Sequence, residues 1–309
     1  MGGISGINVQ RVGKIWMICN LRNIIRYTYR FIPDKIYVKW IFKRRMGYSL
    51  NLKEPKTFSE KLQWMKLYDR RPEYTTTVDK YAVKKYIADL VGEEYIIPTI
   101  GVWDKVADID FDRLPNSFVL KTTHDSGGVY ICRDKAQLDI TKVEEVLSRS
   151  LKHNYYLDGR EWPYKNVPRR IIAEPYLEDK VTGELRDYKF FCFNGSVKAL
   201  FVATDRQNRP EPCFDFFDTE YNHLDIVNGH PLADSIPEKP KCFEEMKHIA
   251  SILSKGYPEL RVDFYEVNGK PYVGELTLFH HGGWMKFEPE NWDRVFGDWI
   301  ELPMVTKNK

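Results

Sequence analysis

The residues most able to do chemistry lie in one short stretch, Leu260-Arg-Val-Asp-Phe-Tyr-Glu-Val-Asn-Gly-Lys-Pro-Tyr-Val-Gly-Glu-Leu-Thr277. Asn268-Gly269 is a strong two-residue hairpin turn. Alternation puts Arg261 and Asp263 on one face of the first strand, and Glu275 and Thr277 on one face of the second. Folding the hairpin brings Asp263 near Glu275, so two carboxylates and an oxygen donor come within reach of one hard cation. Magnesium that holds nucleotide phosphates is bound this way, by one or two carboxylates plus phosphate oxygens. Arg261 alongside would neutralise a phosphate or a developing anion. The competing reading is an Arg–Asp/Glu network on a solvated sheet face. The unusual His280-His281-Gly282-Gly283 that follows weakens it, with either histidine a candidate general base or a structural residue after the strand.

A second group precedes it. Ser117-Phe-Val-Leu-Lys121 reads as an apolar strand delivering Lys121 at its end, a costly place for a lysine unless it meets an anion. Ser126, Gly127 and Gly128 follow in a polar loop, then a strand from Val129 to Cys132. Strand, glycine-rich loop and strand form a cover whose bare N–H groups can close over a polyphosphate, though many hairpins carry such a turn. Arg170–Glu178 is a strand running into a segment stiffened by Pro175. Glu174, Pro175, Tyr176 and Leu177 there can offer backbone groups and a ring to an adenine. Asp187 and Lys189 share one face of the next strand, aimed either into a site or at water, and Asn194-Gly195 turns that strand into Ser196–Ala203.

The elements around these residues carry their own signals. Thr57 and Glu60 make a capping box, and Phe58, Leu62, Met65 and Tyr68 then recur at helical spacing. Asp79–Val91 reads as a helix stopped by Gly92, followed by an extended segment from Tyr95 to Trp103. At 309 residues, 43% hydrophobic and with 17 Phe, 19 Tyr and 8 Trp, the chain can bury a large core and is not disordered. No uncharged apolar run is long enough to cross a membrane. Five cysteines without a C-x-x-C pair indicate neither a disulfide framework nor a zinc site, and a reducing cytoplasm fits.

The first 50 residues differ from the rest, with ten Lys/Arg against the single acid Asp34. Ile15–Phe31 patterns as an amphipathic helix bearing Arg22, Arg26 and Arg30 on one face. A second basic segment, Lys35–Arg45, interleaves Tyr37, Trp40, Ile41 and Phe42. Residues 11–45 therefore suit either peripheral contact with an anionic membrane or a lipid-linked substrate, or else helices packed on the body. Nucleic acid is not expected, because the body is acidic and carries no recognition motif.

In order, the Asp79-Lys80 opening, Lys121 with its loop, Glu174-Pro-Tyr-Leu177, Asp187-x-Lys189 and the Arg261-x-Asp263…Glu275-x-Thr277 hairpin resemble the ATP-grasp superfamily. Pro55-x-Thr-Phe-x-Glu-Lys-Leu-Gln-Trp64 is similar to the TupA-like branch found in bacterial surface-polysaccharide gene clusters. The resemblance implies an α+β ATP-grasp fold, two subdomains gripping ATP, preceded by a basic helical region. Its divisions are 1–75 for the head, 76–175 for the first subdomain and 176–300 for the second. It implies Lys121 on the α/β-phosphates, the glycine loop over them, Asp187 at the ribose, Lys189 at the γ-phosphate, and Asp263 and Glu275 on Mg²⁺. Thr277 stands where most members have Asn. The activity implied is an ATP- and Mg²⁺-dependent ligase that makes an acylphosphate for attack by an amine, in capsular or cell-surface polysaccharide biosynthesis. A small-molecule or lipid-linked glycan is the expected substrate, in the cytoplasm or at the inner face of the plasma membrane. Two alternatives stand beside it: a sugar or lipid kinase using the same ATP site, and a glycosyltransferase using Asp108-Ile-Asp110 or Asp110-Phe-Asp112.

Overall fold

The computed structural model describes residues 29–304 apart from 181, 207 and 208. After a 3₁₀ turn at Tyr29–Phe31, helix α1 (Asp34–Met46) ends at Gly47, whose φ of 88° only glycine adopts freely. Helix α2 (Phe58–Tyr68) opens with the expected reciprocal box: the Glu60 amide donates to the Thr57 hydroxyl at 3.2 Å, and the Thr57 amide to the Glu60 carboxylate at 3.3 Å. Helices α3 (Glu73–Val78) and α4 (Ala82–Val91) lead to strands β1 (Gly101–Trp103), β2 (Phe118–Thr122) and β3 (Val129–Cys132). Helix α5 (Ile140–Lys152), the single turn α6 (Tyr156–Gly159) and strand β4 (Ile171–Pro175) complete this part. The four strands form an antiparallel sheet in the order β1-β4-β2-β3. Phe118 and Leu120 turn one way, onto Val143 and Leu147 of α5; Val119 and Lys121 turn the other.

A six-stranded antiparallel sheet follows, in the order β10-β9-β5-β6-β7-β8. It is built from β5 (Asp187–Phe193), β6 (Ser196–Thr204), β7 (Cys213–Phe217), β8 (His223–Leu224), β9 (Leu260–Val267) and β10 (Lys270–Thr277). Helix α7 (Phe243–Leu253) covers one face, where Phe190 meets Phe243 and Phe264 at ring distances of 5.7 and 5.4 Å. On the other face Phe191 packs on Phe58 of α2 and on Phe296 of helix α8 (Asn291–Trp299). These helices leave the β5–β9–β10 end of that face uncovered for charged side chains.

The N-terminal region is not separate from this body. Phe58, Leu62, Met65, Tyr74 and Val78 lie in the same core as the six-stranded sheet. Packing is continuous across residues 75 and 76, and β4 ends at Pro175. Of the helix expected from Ile15 to Phe31, only the last three residues are described, and they form a 3₁₀ turn; Arg22 and Arg26 lie outside the described residues. The extended segment expected from Tyr95 is a strand only from Gly101. Among the described residues no helix is long and apolar enough to cross a membrane. If α2 is integral to the core, Phe58→Ala costs about 3–5 kcal/mol in urea denaturation; a cost under about 1 kcal/mol would show that the core closes without it.

Candidate active site

Pairing across three strands fixes the central row. Lys189 on β5 lies opposite Asp263 on β9, and Asp263 lies opposite Glu275 on β10. The next row holds Phe191, Arg261 and Thr277. The match of Asp263 with Glu275 depends on a bulge, because the register shifts between Val273 and Glu275. Gly274 occupies it, and a Cβ there would lie 2.6 Å from the Tyr265 ring.

Asp263 is 1% exposed and surrounded by cations. The Arg261 guanidinium grips both its oxygens, Nε to Oδ1 and Nη2 to Oδ2, each at 2.7 Å. Lys189 Nζ reaches Oδ2 at 2.5 Å and Asp187 at 3.4 Å. Burial opposes ionisation of Asp263, but Arg261 and then Lys189 hold its carboxyl below the ordinary range. Lys189 is raised for the matching reason, since Asp187 and Asp263 outweigh its burial. Arg206 caps the row by donating to Asp187.

Arg261 is itself held. Its Nη1 donates to His280 Nδ1 at 2.6 Å and its Nη2 to the Thr277 hydroxyl at 3.1 Å. An arginine only donates, so Nδ1 is the acceptor and His280 carries its proton on Nε2. That proton goes to Asn228 Oδ1 at 2.9 Å. Burial, then the neighbouring His281 and Arg261, keep His280 neutral far below the usual imidazole range. His281 differs. Its Nε2 is buried without a partner among the described residues, its φ is 47°, and burial pushes its pKa down to about 3. Behind it, Gln63 of α2 donates to the carbonyls of Gly282 and Gly283, both at 2.9 Å, and Lys66 donates to Gly282 and Gly159.

The four-stranded sheet supplies the facing wall. Lys121 and Lys84 of α4 both reach the buried Glu174 carboxylate at 2.6 Å. Against its burial they hold Glu174 below the carboxylate range. The Glu174 side chain is thus a counter-ion, and only its backbone remains for an adenine. Val129 and Ile131, partly exposed on the Lys121 face, and half-buried Pro175, Tyr176 and Leu177 border that space. Asp125 pins the base of the glycine loop: Thr122 and Ser150 donate to its two oxygens at 2.5 Å each. A Cβ on Gly128 would fall 2.0 Å from the Thr122 hydroxyl, while one on Gly127 would meet nothing within 4 Å. Gly128 is needed for packing and Gly127 leaves the backbone bare beside Ser126. Lys80 joins the two walls, donating to the Asp125 carbonyl at 2.5 Å and reaching Glu275 at 3.3 Å.

Lys80, Lys84, Arg206, Asn228, Gln63 and Lys66 escape a reading of the sequence by pattern. Of these, Lys80 carried a signal as half of the Asp79-Lys80 opening, and Gln63 as part of the Pro55–Trp64 segment. Glu161 also went unread. It is 7% exposed beside Gly282, burial raises its pKa, and Lys66 and Glu275 are among the charges acting on it. The acids Asp108, Asp110 and Asp112 lie elsewhere, exposed around two 3₁₀ turns, with Asp110 capping the Asp112 amide.

A family model described as TupA-like ATPgrasp matches residues 60–301. The chain belongs to the TupA-like ATP-grasp family. Its fold is the α+β ATP-grasp fold expected from the motifs, and its superfamily consists of ATP-dependent ligases. Similar solved structures include a D-alanine–D-alanine ligase from Bacillus anthracis complexed with ATP, at 18% identity and a TM-score of 0.39, covering 66% of this chain and 54% of that one. A RimK-domain ATP-grasp protein from Sphaerobacter thermophilus is 12% identical with a TM-score of 0.41, covering 75% and 70%. This chain thus spans little more than half the length of the first of these. No curated protein matches the sequence.

The doubly paired Glu174 yields a direct test. Glu174→Gln leaves two half-buried ammonium groups without their counter-ion, so it destabilises the protein at neutral pH, by about 1–3 kcal/mol. The folded pKa of Glu174 is lowered, so its contribution is present above the unfolded carboxyl value and lost as pH falls through the folded one. Urea denaturation should show the gap between native and Glu174→Gln protein narrowing from pH 7 to pH 3. A gap that widens on acidification contradicts the pairing.

Proposed function

We propose that the chain is an ATP- and Mg²⁺-dependent ligase that activates a carboxylate as an acylphosphate for attack by an amine, in bacterial capsular or other cell-surface polysaccharide biosynthesis. The observation that carries the ligase reading is the Lys189–Asp263–Glu275 row with Arg261 beside it, joined through Lys80 to the glycine loop. The polysaccharide setting rests on the family alone.

The donor set fits Mg²⁺. Asp263, Glu275 and Thr277 offer hard oxygens only, and among the described residues no group of three or more His, Cys, Asp or Glu could hold a metal unaided. A cation held partly by substrate phosphates asks for no more than that. Bound between Asp263 and Glu275, Mg²⁺ would supply neutralisation of the nucleotide's charge. The chain's own residues do the rest. Lys121 and the bare amides at Gly127 hold the phosphates, and Asp187 stands at the ribose.

Phosphoryl transfer asks chiefly for positioning and charge stabilisation. Lys189 is half-buried and Arg261 buried, and both are charged and held in place on Asp263, so their charge stands ready at the transferring group. His280 has both ring nitrogens engaged and serves by aiming Arg261. His281 keeps an unpartnered nitrogen on the same turn, but burial holds its pKa down at about 3, so it offers a hydrogen-bond acceptor to the amine and is too weak a base to take its proton.

Mg·ATP should raise the stability of the protein, by about 2.7 kcal/mol at a hundredfold excess over the dissociation constant. Asp263→Asn combined with Glu275→Gln should abolish the Mg²⁺-dependent part. With a panel of uronic and amino acids, turnover should release ADP, and hydroxylamine should trap a hydroxamate. Sugar transfer at full rate without ATP, with no hydroxamate from any carboxylate, would overturn the ligase reading.

A further inference from the structure

Helix α1 is apolar on two opposite sides. One side, Tyr37, Val38, Ile41, Phe42 and Met46, is buried against Leu50 and Trp284. The other carries Ile36 and Trp40, one turn apart and 60% and 44% exposed, with Phe31 at 72% just before the helix. Around them Lys35, Lys39, Lys43, Arg44 and Arg45 are all exposed. None of the five pairs with an acid within 4 Å among the described residues. The acid on the helix itself, Asp34, is engaged by Arg70 at 2.8 Å, Arg160 at 3.5 Å and the Tyr156 hydroxyl. The outer face therefore joins a large apolar strip to a set of unneutralised cations.

We propose that this outer face is a docking surface for an anionic lipid bilayer. Charge complementarity selects that occupant. A protein partner would bury Ile36 and Trp40 but would have to supply acids against every lysine around them. A bilayer supplies a continuous negative surface for the cations and an interfacial layer for Trp40, Ile36 and Phe31 at once. Lysine and arginine stems flanking an indole are suited to this boundary, since the chains lie along the apolar strip while the charges reach outward.

The placement also gives the surface a use. Arg160 stacks on Tyr37 at 4.3 Å, and the Tyr37 hydroxyl donates to the Asp158 carbonyl at 3.1 Å, so α1 sits rigidly on the segment beside the site. A groove of about 1420 Å³ is lined by Arg30 and Phe31, just before α1, by His153 and Lys165, and by Gly127 of the glycine loop. With α1 on the bilayer, Arg30 and Phe31 would bring one side of that groove next to the lipid. A lipid-linked anionic saccharide could then enter without leaving the membrane. This last step rests on the ligase reading; the docking itself does not.

Flotation of the full chain tests the docking. The probes are vesicles of phosphatidylcholine alone, and of phosphatidylcholine with one quarter phosphatidylglycerol, at low and high salt. The protein should float with the anionic vesicles only and be released by salt, as exposed charge pairs are screened. Lys39→Gln with Lys43→Gln should weaken binding by ~30-fold. Ile36→Ser with Trp40→Ala should weaken it while leaving ATP binding unchanged; because Trp40 also packs on Tyr29 and Tyr37, Ile36→Ser alone should weaken binding at an unchanged melting temperature. Flotation equal on both vesicles, or anionic binding untouched by either α1 variant, overturns the proposal. So does concentration-dependent dimerisation that the Trp40 variant abolishes in the absence of any vesicle binding, since the face would then belong to a second copy of the chain. Loss of Mg·ATP binding in the native protein would count against the ligase reading alone.

Discussion

Everything at the centre of this molecule follows from keeping one dry carboxylate ionised. Asp263 has almost no water, so its charge survives only because cations are fixed against both oxygens. Arg261 must then be fixed in turn, and His280 does this through a tautomer imposed by Asn228. Lys189 must come from the neighbouring strand at the same level, which antiparallel pairing of β5 with β9 provides. The result is a row of charges that needs no rearrangement to form, because the sheet's hydrogen bonds set its spacing before any ligand arrives.

The same demand explains why the N-terminal segment is part of the enzyme's body. The turn carrying His280 and His281 holds His281 in a left-handed conformation, which costs energy for a residue with a side chain and persists only where the surroundings fix it. Gln63 and Lys66 of α2 do so by occupying the carbonyls of that turn. Helix α2 is in turn locked at its start by its capping box and by Ser59, whose amide and hydroxyl meet the buried Asp293 of α8 at 2.9 and 3.0 Å. A motif that reads in sequence as an ordinary amphipathic helix is thus the strut behind the site, and α1 braces the next segment along through Arg160.

Much of this was legible beforehand. Asn268-Gly269 and the flanking alternation located the hairpin and its facing acids, and Thr57 with Glu60 located the start of α2, because turns and caps are written in contiguous residues. What was not legible depends on chain segments far apart in sequence. That Lys84 shares Glu174 with Lys121, that Arg206 reaches Asp187, or that Asn228 sets the tautomer of His280 leaves no trace in local spacing. Helices α5, α7 and α8 and strands β7 and β8 were not read either, as their apolar residues are sorted by the sheets they cover. Glu174 shows the limit from the other side. Its place on a strand running into a segment stiffened by Pro175 was visible, whereas the direction of its side chain required the two lysines.

The bulge at Gly274 has a consequence for how such a site can be lost. Strand residues alternate sides, so every position after an inserted residue changes parity. Val273 faces the helix α7 side with Phe264; by plain alternation Glu275 would face that side too, beneath α7 among phenylalanines. The extra glycine flips the count, and Glu275 emerges across from Asp263 instead. Drawing Gly274 into the regular ladder opposite Asp263, with the bulge closed, would therefore remove no functional group from the protein. It would turn a carboxylate outside in, and bring Leu276 out in its place.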